Sequence, residues 1–222
     1  MAVNKVKPIK SFICHSSKEK KLAGLFKNCL ENYFGFQAFL AHEDLEPSTE
    51  WDPEILKNLK DTDIVIPLIS KDSKISPFVN QEIGIAIATH KKIIPVKVGN
   101  IDPFGFISKL QACQCKSFLE YELLETVTKI FFHLVVNPKC VQYKTKALDS
   151  LIHALSKSNS YKTSRIIIKI LIKSEEKYSF IKIQIKRLVQ AIKNNRQVYE
   201  ELYILPQFKK ILQDKYRTII DK

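Results

Sequence analysis

Between residues 10 and 99 the chain alternates short, wholly apolar runs with longer amphipathic ones, and this alternation narrows its folds more than any other feature. KSFICH (10–15) is short, apolar and β-prone, the pattern of a buried strand. SSKEKKLAGLFKNCLENYFG follows, with serines at its head, Gly35 at its end, and Leu22, Leu25, Phe26, Cys29 and Leu30 at helical spacing. It carries both the start and the stop signal of a helix. FQAFLAH (36–42) is a second strand, EDLEPSTEWDP a polar loop, and PEILKNLKD (53–61) a short helix with Pro53 tolerated in its first turn. TDIVIPLIS (62–70) is a third strand, KDSKISP a connection, residues 78–90 a helix, and KKIIPVKVG (91–99) a fourth strand. Strands apolar on both faces and separated by helices require a parallel sheet covered on both sides. Such sheets bind ligands at the carboxyl ends of their strands, near the change of strand order. That rule points to the loops after His15, His42, Ser70 and Gly99.

NIDPFGFISKLQACQC (100–115) is irregular, with a short edge strand near its end, and residues 118–136 form a long amphipathic helix. Asn137-Pro138 marks a boundary, giving two domains, 1–136 and 137–222. Beyond it only helices are expected, over 142–157, 161–174, 176–194 and 196–220, the last broken at Pro206. SKSNS (156–160) and KNNRQ (193–197) are the turns between them. IIIKILI (166–172) is ambiguous, because β-branched residues weaken a helical pattern. A small all-α domain of helical hairpins or a short repeat stack is the expected form.

Charge divides at the same place. Residues 1–136 hold 17 Lys+Arg and 16 Asp+Glu, a net of +1, whereas residues 137–222 hold 19 and 7, a net of +12. All four arginines (Arg165, Arg187, Arg196, Arg217) lie in the second part. Its lysines interleave with apolar residues, as on the solvated face of an amphipathic helix. The same charge would attract an acidic partner or nucleic acid non-specifically, although no nucleic-acid-reading motif is present.

A content of 45% hydrophobic and 27% charged residues is that of a soluble globular protein. The N-terminus lacks an apolar signal core and no run is long enough to span a bilayer, so no membrane association and a cytoplasmic location are expected. The five cysteines (Cys14, Cys29, Cys113, Cys115, Cys140) are scattered. Cys113-x-Cys115 has no second pair at ligand spacing and no histidine cluster, so reduced thiols and no metal site are expected. Five dispersed glycines match neither a dinucleotide fingerprint nor a P-loop.

The order of segments in the first 136 residues resembles the Toll/interleukin-1 receptor (TIR) domain family in its bacterial style. SFICHSS is similar to its first strand and turn, FLAHEDLEPSTEW to its second strand and the BB loop, and LKDTDIVIPLIS to its third strand. SPFVNQEIGIA is similar to the following helix, whose family form is S-x-W-x-x-x-E; KKIIPVKVG and DPFGFISKLQA match later segments. The resemblance covers about three-fifths of the chain and implies a flavodoxin-like α/β domain with a parallel sheet flanked by helices. Two positions depart from the pattern: Cys14 stands where serine is usual, and Phe78 where tryptophan is usual.

Many members of the family cleave NAD+, with the glutamate of that motif as the catalytic residue; here it is Glu82. NAD+ is then a substrate, and no cofactor is implied. Breaking the nicotinamide–ribose bond leaves an oxocarbenium-like sugar, which a nearby carboxylate stabilises or traps. Nicotinamide departs neutral from a cationic ring, so no general acid is needed and a single glutamate suffices. Water attack gives ADP-ribose; attack by the adenine of the same molecule gives a cyclic isomer.

On a helix Phe78 and Glu82 are one turn apart and share a face with Ala86, while Val79, Ile83 and Ile87 form a sheet-facing stripe. Glu82 could equally be a solvated carboxylate beside an exposed ring. Phe12, Ile13, His15 and Ser16 follow from the first strand as candidate substrate contacts. Asp44, with Glu46 and Glu50, makes the second loop acidic, and Trp51 either contacts substrate or anchors the short helix. Ser76 either contacts substrate or caps the helix of Glu82. The implied function is an NAD+ nucleosidase activated by self-association of TIR domains in bacterial anti-phage defence. The alternatives are a non-enzymatic TIR adaptor acting by homotypic contact, and a glutamate-dependent transferase such as a nucleoside deoxyribosyltransferase on a similar sheet.

Overall fold

A computed structural model describes residues 6–40 and 51–217, with the side chains of residues 51 and 52 also outside the description. Among the described residues the contacts divide into two compact units. One comprises Ile9–Leu30 and Phe36–Ile130; the other comprises Glu31–Gly35 and the chain from Phe131 onward, with the segment up to Pro8. The division therefore does not fall at a single point in the sequence.

Among the described residues the first unit is built on six strands: β1 (Lys10–Cys14), β2 (Gln37–Leu40), β3 (Ile64–Ile69), β4 (Lys92–Ile93), β5 (Val96–Lys97) and β6 (Cys113–Gln114). All pair in parallel, in the order β2-β1-β3-β5-β6, with β4 also on β3. The order reverses direction beside β1, as in flavodoxin-like sheets. The helices are α1 (Lys20–Phe34, after a 3-10 turn at Ser17–Glu19), α2 (Trp51–Asp61), α3 (Lys71–Ile75), α4 (Pro77–Ala88) and α5 (Glu120–Val136). Two expectations change in detail. The connection KDSKISP contains α3, because Ser70 caps it and accepts from the Ser73 N–H at 2.9 Å. The fourth strand is split into β4 and β5 around Ile94-Pro95. The register is the same on both sides of the split (Val65↔Ile93, Leu68↔Val96), which sets Pro67 opposite Pro95. Neither proline has an N–H to donate, so the ladder loses its bonds at that rung without losing its alignment.

Every residue of β3 is buried. Phe12, Cys14, Val65 and Ile69 project to one face and pack with Ile55 and Leu59 of α2 and Val79, Ile83 and Ala86 of α4. The alternate residues Ile13, Ile64, Ile66 and Leu68 are equally buried and point to the opposite face. α1 (Leu22, Ala23, Phe26) and α5 (Leu123, Val127, Ile130) each bury an apolar stripe of their own.

In the second unit α6 (Val141–Lys157), α7 (Tyr161–Glu175), α8 (Lys182–Asn194), α9 (Arg196–Tyr199) and α10 (Leu205–Tyr216) pack around Leu151, Leu155, Ile167, Leu171, Leu188, Ile192, Phe208 and Leu212. IIIKILI is helical. Burial of Ile167, Ile168, Ile170, Leu171 and Ile172 outweighs the propensity cost of β-branching, a few tenths of a kcal/mol or so per residue against about 1.5–3 kcal/mol per buried side chain. The helix expected over 176–194 starts only at Lys182, because Gln184 turns back to accept from the Ile181 N–H at 3.2 Å. Pro206 does not break a helix. It lies in the first turn of α10, and the interruption falls before it. Gly35 ends α1 at φ +65°, where any Cβ would also collide with the Ser150 carbonyl oxygen of α6, so glycine is required twice over.

Candidate active site

The site is set by the start of α4. Ser76 caps it, its hydroxyl accepting from the Val79 N–H at 3.4 Å, and Pro77 occupies the first helical position. The Asn80 amide donates to the Ser76 and Lys74 carbonyls at 2.8 and 3.1 Å, tying the turn to the helix. With the helix phase fixed and Val79, Ile83 and Ala86 in the core, Glu82 is held on the inner side. It is only 6% exposed, so it is not a solvated position. Phe78, one turn earlier, is 45% exposed.

Both residues line a cleft of about 460 Å³ between α2 and α4, with Ile55, Leu56, Gln81 and Ile85 as further walls. Burial raises the Glu82 pKa to about 8, and a hydrogen bond from the Cys14 thiol of β1 offsets part of that rise. Burial, and then the neighbouring Glu82, pushes the Cys14 thiol well above its ordinary value, so it stays protonated and remains a donor. Among the described residues no cation pairs with Glu82. An apolar-walled carboxylate of this kind interacts strongly with any positive charge brought into the cleft, because little water screens it. The approach of such a charge would itself favour ionisation.

The other expected contacts are distributed differently. Phe12 has no exposed surface; it packs on Phe39 with ring centroids 5.3 Å apart and supports the core beneath α2 and α4. Ile13 is buried on the opposite face. His15 is buried at the strand end, with Nδ1 3.4 Å from the Ile13 carbonyl oxygen. The Ser16 hydroxyl donates to Glu19, which also accepts from the Ser16 N–H at 3.0 Å and from the Ser70 hydroxyl at 2.6 Å. None of these four lines the Glu82 cleft, because strand alternation and the capping of the first turn commit them elsewhere. Asp44 lies outside the described residues, as does the side chain of Trp51, whose backbone opens α2. Ser76 is a helix cap. The structure thus brings Phe78 and Glu82 together.

Three features were missed from the sequence. Glu19 is the acceptor that joins the turn after β1 to the end of β3, and the S-x-x-E spacing of Ser16 and Glu19 is the signal that marks it. Cys14 as the partner of Glu82 has no local signal, since the two meet only through sheet packing. Of the four loops expected to line the site, those after β1, β3 and β5 line a second cleft of about 530 Å³ that excludes Glu82, and the one after His42 lies outside the described residues. The five cysteines form no disulfide. Among the described residues there is no cluster of metal-ligating side chains, and no helix is long and apolar enough to cross a membrane.

Comparison with known proteins bears on the first unit. A family model described as the TIR domain matches residues 12–128, more than half of the chain. The crystal structure of the TIR domain of the Toll-related Receptor TRR-2 from Hydra magnipapillata is similar at 16% identity, covering 54% of this chain and 95% of that one, with a TM-score of 0.45. No curated protein matches. With the parallel sheet and its strand order in place, the family match settles one point of identity: this chain belongs to the TIR domain family.

Proposed function

We propose that this TIR protein cleaves the nicotinamide–ribose bond of NAD+, with Glu82 as its catalytic carboxylate. The observation that carries the reading is a buried glutamate without a cation among the described residues, at the wall of an open cleft, one helical turn from an exposed aromatic ring. Carboxylates perturbed by burial in a cleft cluster at functional sites. The cationic nicotinamide ring supplies the charge that Glu82 lacks, and Phe78 offers a face on which a ring can stack. As the C–N bond breaks, positive charge moves from the nicotinamide to the ribose, and the carboxylate stabilises it there. Nicotinamide leaves with the bonding electron pair and needs no proton. Water or the substrate's own adenine then completes the reaction, giving ADP-ribose or a cyclic isomer.

The remainder of the proposal is that the enzyme works in the cytoplasm, in bacterial anti-phage defence, and becomes active on self-association. The basic region of residues 137–222 would serve assembly or an acidic partner. Arg165, Arg187 and Arg196 are engaged by Glu201, Asp149 and Glu200, so the lysines and Arg217 would carry any such contact. A second reading, a homotypic adaptor, is favoured by Ile75 and Phe106, which expose large apolar side chains on the first unit.

Purified protein should release nicotinamide from NAD+ at high protein concentration, and Glu82→Gln should lower the rate by about two to three orders of magnitude. Since the carboxylate is the active form, kcat/KM should rise with pH up to about 8 and level off above it. Equal release by the variant, or none by the concentrated wild type, would remove the enzyme reading. Homotypic binding that survives in Glu82→Gln would then leave the adaptor.

A further inference from the structure

We propose that the second cleft, at the carboxyl edge of the sheet, is a binding site for a nucleoside phosphate, separate from the Glu82 cleft. Its position is the one where parallel sheets gather ligands: the turn after β1, the end of β3 and the loop after β5 converge on it. Its volume of about 530 Å³ suits a mononucleotide. The two clefts share no lining residue. The Glu82 cleft lies between α2 and α4, on the face of Phe12 and Cys14. The second is walled by the first turns of α1, by α3 and by the approach to α5.

The lining selects the ligand's chemistry. Lys21 and Lys71 face the cleft, and neither forms an ion pair among the described residues. Lys18, on the same wall, is neutralised by Asp72 at 2.6 Å, which leaves two ammonium groups for a phosphate. Phe118 is 59% exposed on this wall, a ring face of the kind on which bases stack. Glu19 is the discriminating group. A buried carboxylate beside the lysines disfavours a simple anion but accepts hydrogen bonds from sugar hydroxyls, as acidic residues do at ribose sites. Oε2 takes both the hydroxyl and the N–H of Ser16, whereas Oε1 takes only the Ser70 hydroxyl and keeps a lone pair for a further donor. Two lysines, an acceptor carboxylate and an exposed ring together describe phosphate, ribose and base.

The test is calorimetric titration of the full chain with AMP, adenosine and inorganic pyrophosphate. Four proteins are compared: wild type, Glu82→Gln, the double variant Lys21→Glu/Lys71→Glu, and Phe118→Ala. The substituted side chains outside the Glu82 cleft are on the surface, and circular dichroism is to check that each variant folds. AMP should bind wild type and Glu82→Gln alike, and more tightly than adenosine or pyrophosphate. The double lysine variant should weaken AMP by about tenfold or more, and Phe118→Ala by severalfold. Absence of saturable AMP binding would overturn the proposal, as would pyrophosphate binding as tightly as AMP. Loss of AMP binding in Glu82→Gln with retention in the lysine variant would also overturn it, by placing the nucleotide in the other cleft.

Discussion

The α/β unit and the helical unit both bury carboxylates, but they surround them in opposite ways. In the helical unit Glu201 accepts from the Arg165 guanidinium at 2.8 Å and from the N–H groups of Tyr203, Ile204 and Leu205 at 3.3, 2.7 and 3.1 Å. Burial by itself would raise its pKa, but the Ile204 N–H, the guanidinium and the other two N–H groups hold it below the ordinary value. Glu175 accepts from Lys215 at 2.5 Å and from the Tyr216 hydroxyl at 2.8 Å. Asp149 accepts from Arg187 at 2.8 Å and from the Gln184 amide at 2.9 Å. These acids join helices, and Glu201 also caps α10. In the α/β unit Glu19 is likewise satisfied, by serines, whereas Glu82 has one thiol donor and an open cleft. A buried charge supplied with donors supports the fold, while one left without them costs stability and is kept for another use.

The largest effect expected from this contrast is on how stability varies with pH. The folded-state pKa of Glu82 stands at about 8, above its ordinary value of 4.5, so the fold binds the proton more tightly than the unfolded chain. The contribution is full below about pH 4.5, declines as pH rises towards 8, and is flat above. Across that window it amounts to about 5 kcal/mol. Denaturant titrations of wild type and Glu82→Gln at a series of pH values should diverge over this range, with the variant lacking the decline. Parallel curves would show that burial does not perturb Glu82, and the contrast between the units would be lost.

Next comes Glu201→Ala, which leaves a guanidinium and three N–H groups without their acceptor. A loss of about 3 kcal/mol is expected at neutral pH. Hydrogen exchange should show lower protection in α7 and α10 and little change in β1 and β3. Equal loss in the sheet would mean that the two units open as one cooperative body.

The smallest effect is expected from Cys14→Ser. A hydroxyl donates more strongly than a thiol, so it should favour the Glu82 carboxylate and move the upper edge of the stability window down by about half a pH unit. A shift upward, or none, would mean that the thiol has no part in setting the carboxylate's proton affinity.

Much of the fold was legible because its signals are local. Apolar runs of strand length, serine caps and the Gly35 stop are each read within a few residues. The resemblance in segment order was sufficient to point to the TIR family. What was misplaced depended on partners distant in sequence. Phe12 and Ile13 border the turn after β1, which made them plausible substrate contacts, yet strand alternation sends one to each face and both are buried. KKIIPVKVG reads as one strand, but Pro67 of a neighbouring strand meets Pro95 and interrupts the pairing. The pairing of Glu82 with Cys14 crosses from α4 to β1 and leaves no trace in either segment.

The sequence by itself determined the parallel α/β architecture, the basic helical region and Glu82 as the residue to examine. Only the tertiary structure decided what kind of carboxylate Glu82 is. Its proton affinity reflects the water removed by α2, α4 and β1 together, and desolvation is a sum over neighbours that no spacing within α4 encodes. The structure also separated the Glu82 cleft from the cleft at the strand ends, since packing of helices against the two faces of a sheet creates distinct hollows that a one-dimensional pattern treats as one.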